Sequence, residues 1–214
     1  MTKRNVALTV LFFGSVWGLA EAALGGLLYR ADVPHAAAPL AVIALAVLTV
    51  ARVVCPRPGL STLIAACAML FKFANAPFWA CHLLGIFLLG VAYDVVLLAA
   101  GREWLGAGRR ALKNALVGAG SAYLGFALFA VLITYVFRYE YWARDGLPRV
   151  LSHVGIGGTL AAAGAAIAVP LAARLGETLA SRPLALLPRR ATLATGGLWL
   201  VTAGLWIVAV AVPF

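Results

Sequence analysis

The chain has 214 residues, of which 64% are hydrophobic and 11% charged, and it carries a net charge of +10. Soluble domains run about 45–50% apolar and about 25% charged, so this composition excludes a water-soluble globule and indicates an integral membrane protein. The length suffices for several spans of about 20 residues and leaves no room for a separate soluble domain; the basic balance reads as cytoplasmic loop charge, with no nucleic acid expected.

Seven apolar segments follow one another at roughly 6–29, 35–54, 60–78, 81–100, 113–137, 153–173 and 191–212. They predict an all-α, polytopic transmembrane helical bundle of about six to seven spans, forming a single integral membrane domain over 1–214. The breaks carry turn chemistry: Pro34, then Pro56 and Pro58, then Pro77, Gly101, the run Asp145-Gly146-Leu147-Pro148, and finally Pro183 with Pro188. The stretch from Asn75 to His82 is a short proline turn, and a re-entrant hairpin there would change the count.

Loop charge sets the orientation. With the N-terminus inside, the cytoplasmic side holds Lys3, Arg4, Arg52, Arg57, Arg102, Arg109, Arg110, Lys113, Arg174, Arg182, Arg189 and Arg190. The outer side holds Arg30, Arg138, Arg144 and Arg149. This positive-inside bias predicts a multi-pass protein of the plasma (inner) membrane with a cytoplasmic N-terminus.

The first segment contains Glu21, which an apolar span does not tolerate without a partner, because an unpaired ion in hydrocarbon costs several kcal/mol. At about 100° per residue, Glu21 shares a helix face with Gly14, Gly18 and Gly25. Lys72 in the third segment lies at matched depth and shares its face with Ser61, Ala65, Ala68 and Ala76. Small residues let helices approach closely, so both charges are expected to point into the bundle and to pair. A rival reading takes Lys3, Arg4 and the run to Ala20-Glu21-Ala22 as a secretory signal with a cleavage site; the apolar run continues through Tyr29, which favours a packed helix.

Asp94 in the fourth segment lies on the inner half, about two turns from Arg102, and is read as a hydrated interfacial charge. Cys55, Cys67 and Cys81 form no close pair, which indicates no disulfide framework. Cys81 and His82 are adjacent and so point about 100° apart on a helix, a poor arrangement for one metal ion. His35, His82 and His153 all fall on the outer side. No zinc helix, phosphate-binding glycine loop, Cys-x-x-Cys pair, nucleophile elbow or paired-carboxylate cluster is present, so neither catalysis, a metal nor a cofactor is expected.

The outer side concentrates aromatic and charged residues. The loop from Arg138 to Asp145 contains Tyr139, Tyr141, Trp142 and Arg144, and the turn after the third segment adds Asn75, Phe78 and Trp79. Such residues form interfacial belts in many membrane proteins, and they equally suit a flat, polar solute. On the pocket reading, Trp79, His82, Tyr139, Trp142, Arg144 and His153 form walls and lid, with Glu21 and Lys72 at the floor.

The run Phe13-Gly14-Ser15-Val16-Trp17-Gly18-Leu19-Ala20-Glu21-Ala22-Ala23-Leu24-Gly25 resembles the first helix of some uncharacterised substrate-binding (S) components of energy-coupling-factor transporters. The helix with Lys72 that leads into Asn75-Ala76-Pro77 resembles the same family, and the likeness covers about the first 100 residues. The resemblance implies a membrane protein that captures a vitamin-like solute from outside. It further implies partners, a scaffold membrane subunit and two ATPases, with Gly14, Gly18 and Ala22 as the packing face for the scaffold helix. Two features depart from that family: a seventh span, and no histidine motif at the N-terminus, which argues against a metal cargo. The competing expectation is a non-transporting scaffold or accessory subunit, with Gly118, Gly120, Gly125, Gly155, Gly157, Gly158 and Gly164 docking other membrane proteins.

Overall fold

The structure is a computed structural model and describes residues 3–73, 80–101, 111–181 and 188–211. Eight helices make up this part of the chain: α1 (Lys3–Arg30), α2 (Ala37–Val54), α3 (Leu60–Lys72), α4 (Ala80–Ala100), α5 (Ala111–Val131), α6 (Glu140–Ser152), α7 (Thr159–Ser181) and α8 (Pro188–Ala211). No strand occurs among the described residues. Six stretches among the described residues are long and apolar enough to cross a membrane. The chain is therefore an all-α membrane bundle.

The third segment is described only in part. Helix α3 has 13 residues, which at 1.5 Å each reaches about 20 Å, short of a hydrocarbon layer of about 30 Å. The rest of the segment drawn to residue 78, including Trp79 just beyond it, lies outside the described residues apart from Phe73.

A correction concerns the stretch from Arg138 to Asp145, expected as an outer loop. It becomes helical at Glu140, which places an acid in the first turn of α6 where the helix dipole favours it. Gly146 then breaks the helix with φ 56° and ψ −137°, a conformation open essentially to glycine alone. Pro148 follows in the first turn after the break, where its missing N–H costs nothing. From there the chain stays helical through α7, passing through a π-helical turn at His153–Gly158. A similar turn, Leu132–Val136, closes α5 with Phe137 N–H donating to the Leu132 carbonyl at 2.9 Å.

Six helices close a ring in the order α1, α3, α4, α5, α7, α2, and α2 also touches each of the other five. Small residues set the spacing. A Cβ on Gly14 would lie 2.5 Å from the Cys67 Cβ, and one on Gly18 would run into the Phe71 ring, so α1 and α3 are in near-backbone contact. Gly118 meets Ala165 and Val169 of α7, and Gly164 and Gly176 meet Val42 and Val53 of α2. The glycine faces expected to dock other proteins thus largely pack this chain's own helices; Gly155 alone of those flanking α7 faces open space.

Helix α8 stands outside the ring against α1 and, more lightly, α3. Trp206 fixes it, donating from Nε1 to Ser15 Oγ at 2.8 Å and packing edge-on to Phe71 at 4.5 Å. Its other side, with Leu200 and Ile207, is bare.

Buried polar groups tie α2, α3 and α4 together at the end opposite the α1–α2 connection. Tyr93 of α4 is fully buried, and its hydroxyl lies 2.7 Å from Thr49 Oγ1, which itself donates to the Leu45 carbonyl. Asp94 was expected to be hydrated, yet it reaches α3. Its Oδ2 accepts from the Thr62 amide at 2.8 Å and the Thr62 hydroxyl at 2.9 Å. Gly59 precedes α3 and has no side chain to cap it, so Asp94 supplies the missing acceptor from a neighbouring helix. Arg52 of α2 lies 3.9 Å from the other carboxylate oxygen, and a cleft of about 430 Å³ opens beside the three residues.

Candidate functional site

The end of the bundle that carries the α1–α2 and α5–α6 connections holds a half-open cavity of about 210 Å³. Helix α1 lines it with Trp17, Glu21 and Gly25; α2 adds Leu40 and Ala41, and α3 adds Lys72. Helix α4 contributes Cys81, His82, Gly85, Ile86 and Leu89, α5 contributes Gly125, Phe126 and Phe129, and the π-turn before α7 contributes His153. Every ring helix except α7 itself therefore supplies a wall.

Glu21 and Lys72 form the polar wall. Lys72 Nζ lies 3.8 Å from Glu21 Oε2 and donates to the Glu21 main-chain carbonyl at 2.9 Å. One turn before Glu21, Trp17 donates from Nε1 to Glu21 Oε1 at 3.2 Å, so the indole fixes the carboxylate while its ring backs the cavity. Gly25, one turn further on, leaves room for the ammonium: a Cβ there would sit 3.3 Å from Lys72 Nζ. The pair is held by the Trp17 indole on the carboxylate and by the Glu21 main-chain carbonyl on the ammonium, and neither charge is fully spent on the other.

The opposite wall is aromatic. The His153 imidazole stacks on Phe126 at 4.8 Å and leans on Phe129 at 5.4 Å. Trp142 packs its edge against both His153, at 5.1 Å, and Phe129, at 5.2 Å, and Arg149 lies over the indole at 5.0 Å. A π-helical turn widens the helix by one residue, and here it directs His153 inward just where the chain descends into the bundle.

The solute-binding residues expected from the sequence that the structure describes divide into three groups. Glu21, Lys72, His82 and His153 share the cavity, with His82 exposed at its mouth. Trp142 stands behind the wall and buttresses His153. Tyr139 and Arg144 do not line the cavity: Tyr139 is the extended residue before α6, and Arg144, 70% exposed, pairs with Asp145 and lies over Tyr141. Trp79 lies outside the described residues. Gly14 and Gly18 are occupied by α3, and Ala22 is buried with Phe71 and Ala209 between α3 and α8, so this stripe is filled from within the chain.

Most of the lining was not expected from the sequence, Trp17, Gly25, Phe126 and Phe129 among it. Trp17 was within reach, four residues before Glu21 on the same face. Gly25 was named only as a small neighbour, while Phe126 and Phe129 looked like any apolar pair in a span. Among the described residues, no three His, Cys, Asp or Glu side chains lie close enough to hold a metal ion. Comparison with protein-family models, characterised proteins and solved structures finds no match to this chain.

Proposed function

We propose that this protein is a membrane-embedded capture component for uptake of a small organic solute, similar in role to the S components of energy-coupling-factor transporters, and that it resides in the plasma membrane with its N-terminus inside. The observation that supports this most is the cavity itself: an apolar, aromatic chamber with one fixed acid–base pair, lying at the end of the bundle that loop charge assigns to the outside. A membrane protein keeps ionisable groups in its interior chiefly where they meet a solute, an ion or each other. On this reading His82 lies at the entrance, Glu21 and Lys72 orient the solute's polar edge, and Phe126, Phe129 and His153 hold its body. Energy coupling through a scaffold subunit and ATPases would follow from the resemblance. Their contact face would lie elsewhere than the Gly14/Gly18 stripe, which α3 covers.

A thermal-shift screen of the purified protein against vitamins, their precursors and divalent metals tests the reading. A bound solute at 100 times its Kd stabilises the fold by about 2.7 kcal/mol. A hit that disappears in Lys72→Ala supports capture, and a flat screen on folded protein rejects it. The bare side of α8 favours the alternative, a scaffold or accessory subunit, to which a flat screen would turn attention.

A further inference from the structure

We infer that the cavity selects a net-uncharged, single-ring solute that presents a hydrogen-bond donor beside an acceptor, as the edge of an amide or lactam does. This inference rests on the capture reading and narrows it to a substrate class.

Three observations carry it. The first is size. A cavity of about 210 Å³ is moderately larger than the roughly 150 Å³ that accepts benzene in an engineered apolar cavity, so one ring with a small substituent fits. The second is charge. Glu21 and Lys72 are the only carboxylate and ammonium among the described lining residues, and they cancel. They also lie 3.8 Å apart. An anion drawn to Lys72 would sit against the Glu21 carboxylate, and a cation drawn to Glu21 would sit against the Lys72 ammonium. Away from water neither repulsion is well screened, so an ion is disfavoured whichever sign it carries.

The third is unspent hydrogen-bonding capacity. Lys72 has three donors and, among the described residues, places one on the Glu21 carbonyl. Glu21 accepts from Trp17 on Oε1, and its Oε2 lies beyond hydrogen-bond distance of Lys72. The wall therefore offers a donor next to an acceptor, and an amide edge answers both at once: its carbonyl accepts from Lys72 and its N–H donates to Glu21. The ring behind that edge would lie toward Phe126 and Phe129, where stacking is available.

Benzamide, benzoate and benzamidinium share a ring and nearly a shape and differ in charge. Their affinities for the full chain in lipid nanodiscs, read by saturation-transfer NMR with empty nanodiscs as the partition control, test the inference. Benzamide should bind about tenfold or more tighter than either ion. Glu21→Gln, which leaves Lys72 as the lone charge, should move the preference to benzoate, and Lys72→Met should move it to benzamidinium. The wild-type series decides the matter even if a variant fails to fold. A wild-type preference for either ion overturns the inference and leaves the capture reading standing. Binding of none of the three overturns the ring-sized class, and only a flat result in the wider solute screen as well removes the capture reading.

Discussion

Lys72 keeps its charge inside the bundle through two contacts on one residue, the carbonyl and the carboxylate of Glu21. Removing one partner of such a pair strands the other; in soluble proteins that costs about 3–5 kcal/mol, while removing both costs less. Lys72→Ala should therefore lower the thermal unfolding midpoint in detergent more than Lys72→Ala combined with Glu21→Ala. Equal losses in the single and double variants would show that the two side chains act independently. The pairing was legible in the sequence because a charge in an apolar span is conspicuous, and its helix face follows from counting 100° per residue. The aromatic wall was not legible, because Phe126 and Phe129 differ from lipid-facing phenylalanines only in what stands opposite them. Arg144 misled for the converse reason: charge beside tyrosine and tryptophan looks like a lid, but its partner Asp145 is its own exposed neighbour.

Among the elements, α3 depends most on its neighbours. It is short, it starts at a glycine, and its first turn is capped by a carboxylate from α4. Asp94→Ala removes acceptors from the Thr62 amide and hydroxyl and leaves Arg52 without its counter-charge; a loss of about 2–4 kcal/mol in unfolding free energy is expected. Asp94→Asn retains an acceptor and should fall between the two. Equal stability of Asp94→Ala and wild type would show that the cap contributes nothing. No local pattern announces this cap, since Thr62 and Asp94 are 32 residues apart. The long apolar helices were legible from apolar length, whereas α6 was not, because a helix with Glu140, Arg144, Asp145 and Arg149 among its 13 residues has no apolar run to mark it. Gly146 and Pro148 were correctly seen as punctuation, but they break a helix where a loop was expected.

Taken whole, the described residues form a closed ring of six helices with α8 leaning on the first. If loop charge sets its orientation, single cysteines at Asp32 and Asp145 in a cysteine-free background should react with a membrane-impermeant maleimide on intact cells, and cysteines at Arg57 and Gly101 only after permeabilisation. The reverse pattern would place the cavity mouth in the cytoplasm and end the uptake reading. The ring also has a consequence for synthesis. Glu21 and its partner Lys72 are separated by 51 residues. At about 5–20 residues per second, roughly 3–10 s pass between their emergence from the ribosome. During that interval α1 carries a carboxyl group that the lipid cannot solvate and that its partner Lys72 cannot yet neutralise. The first helix should therefore linger beside the insertion machinery and enter the bilayer together with α3, so that translation speed over this stretch becomes part of how the protein is built.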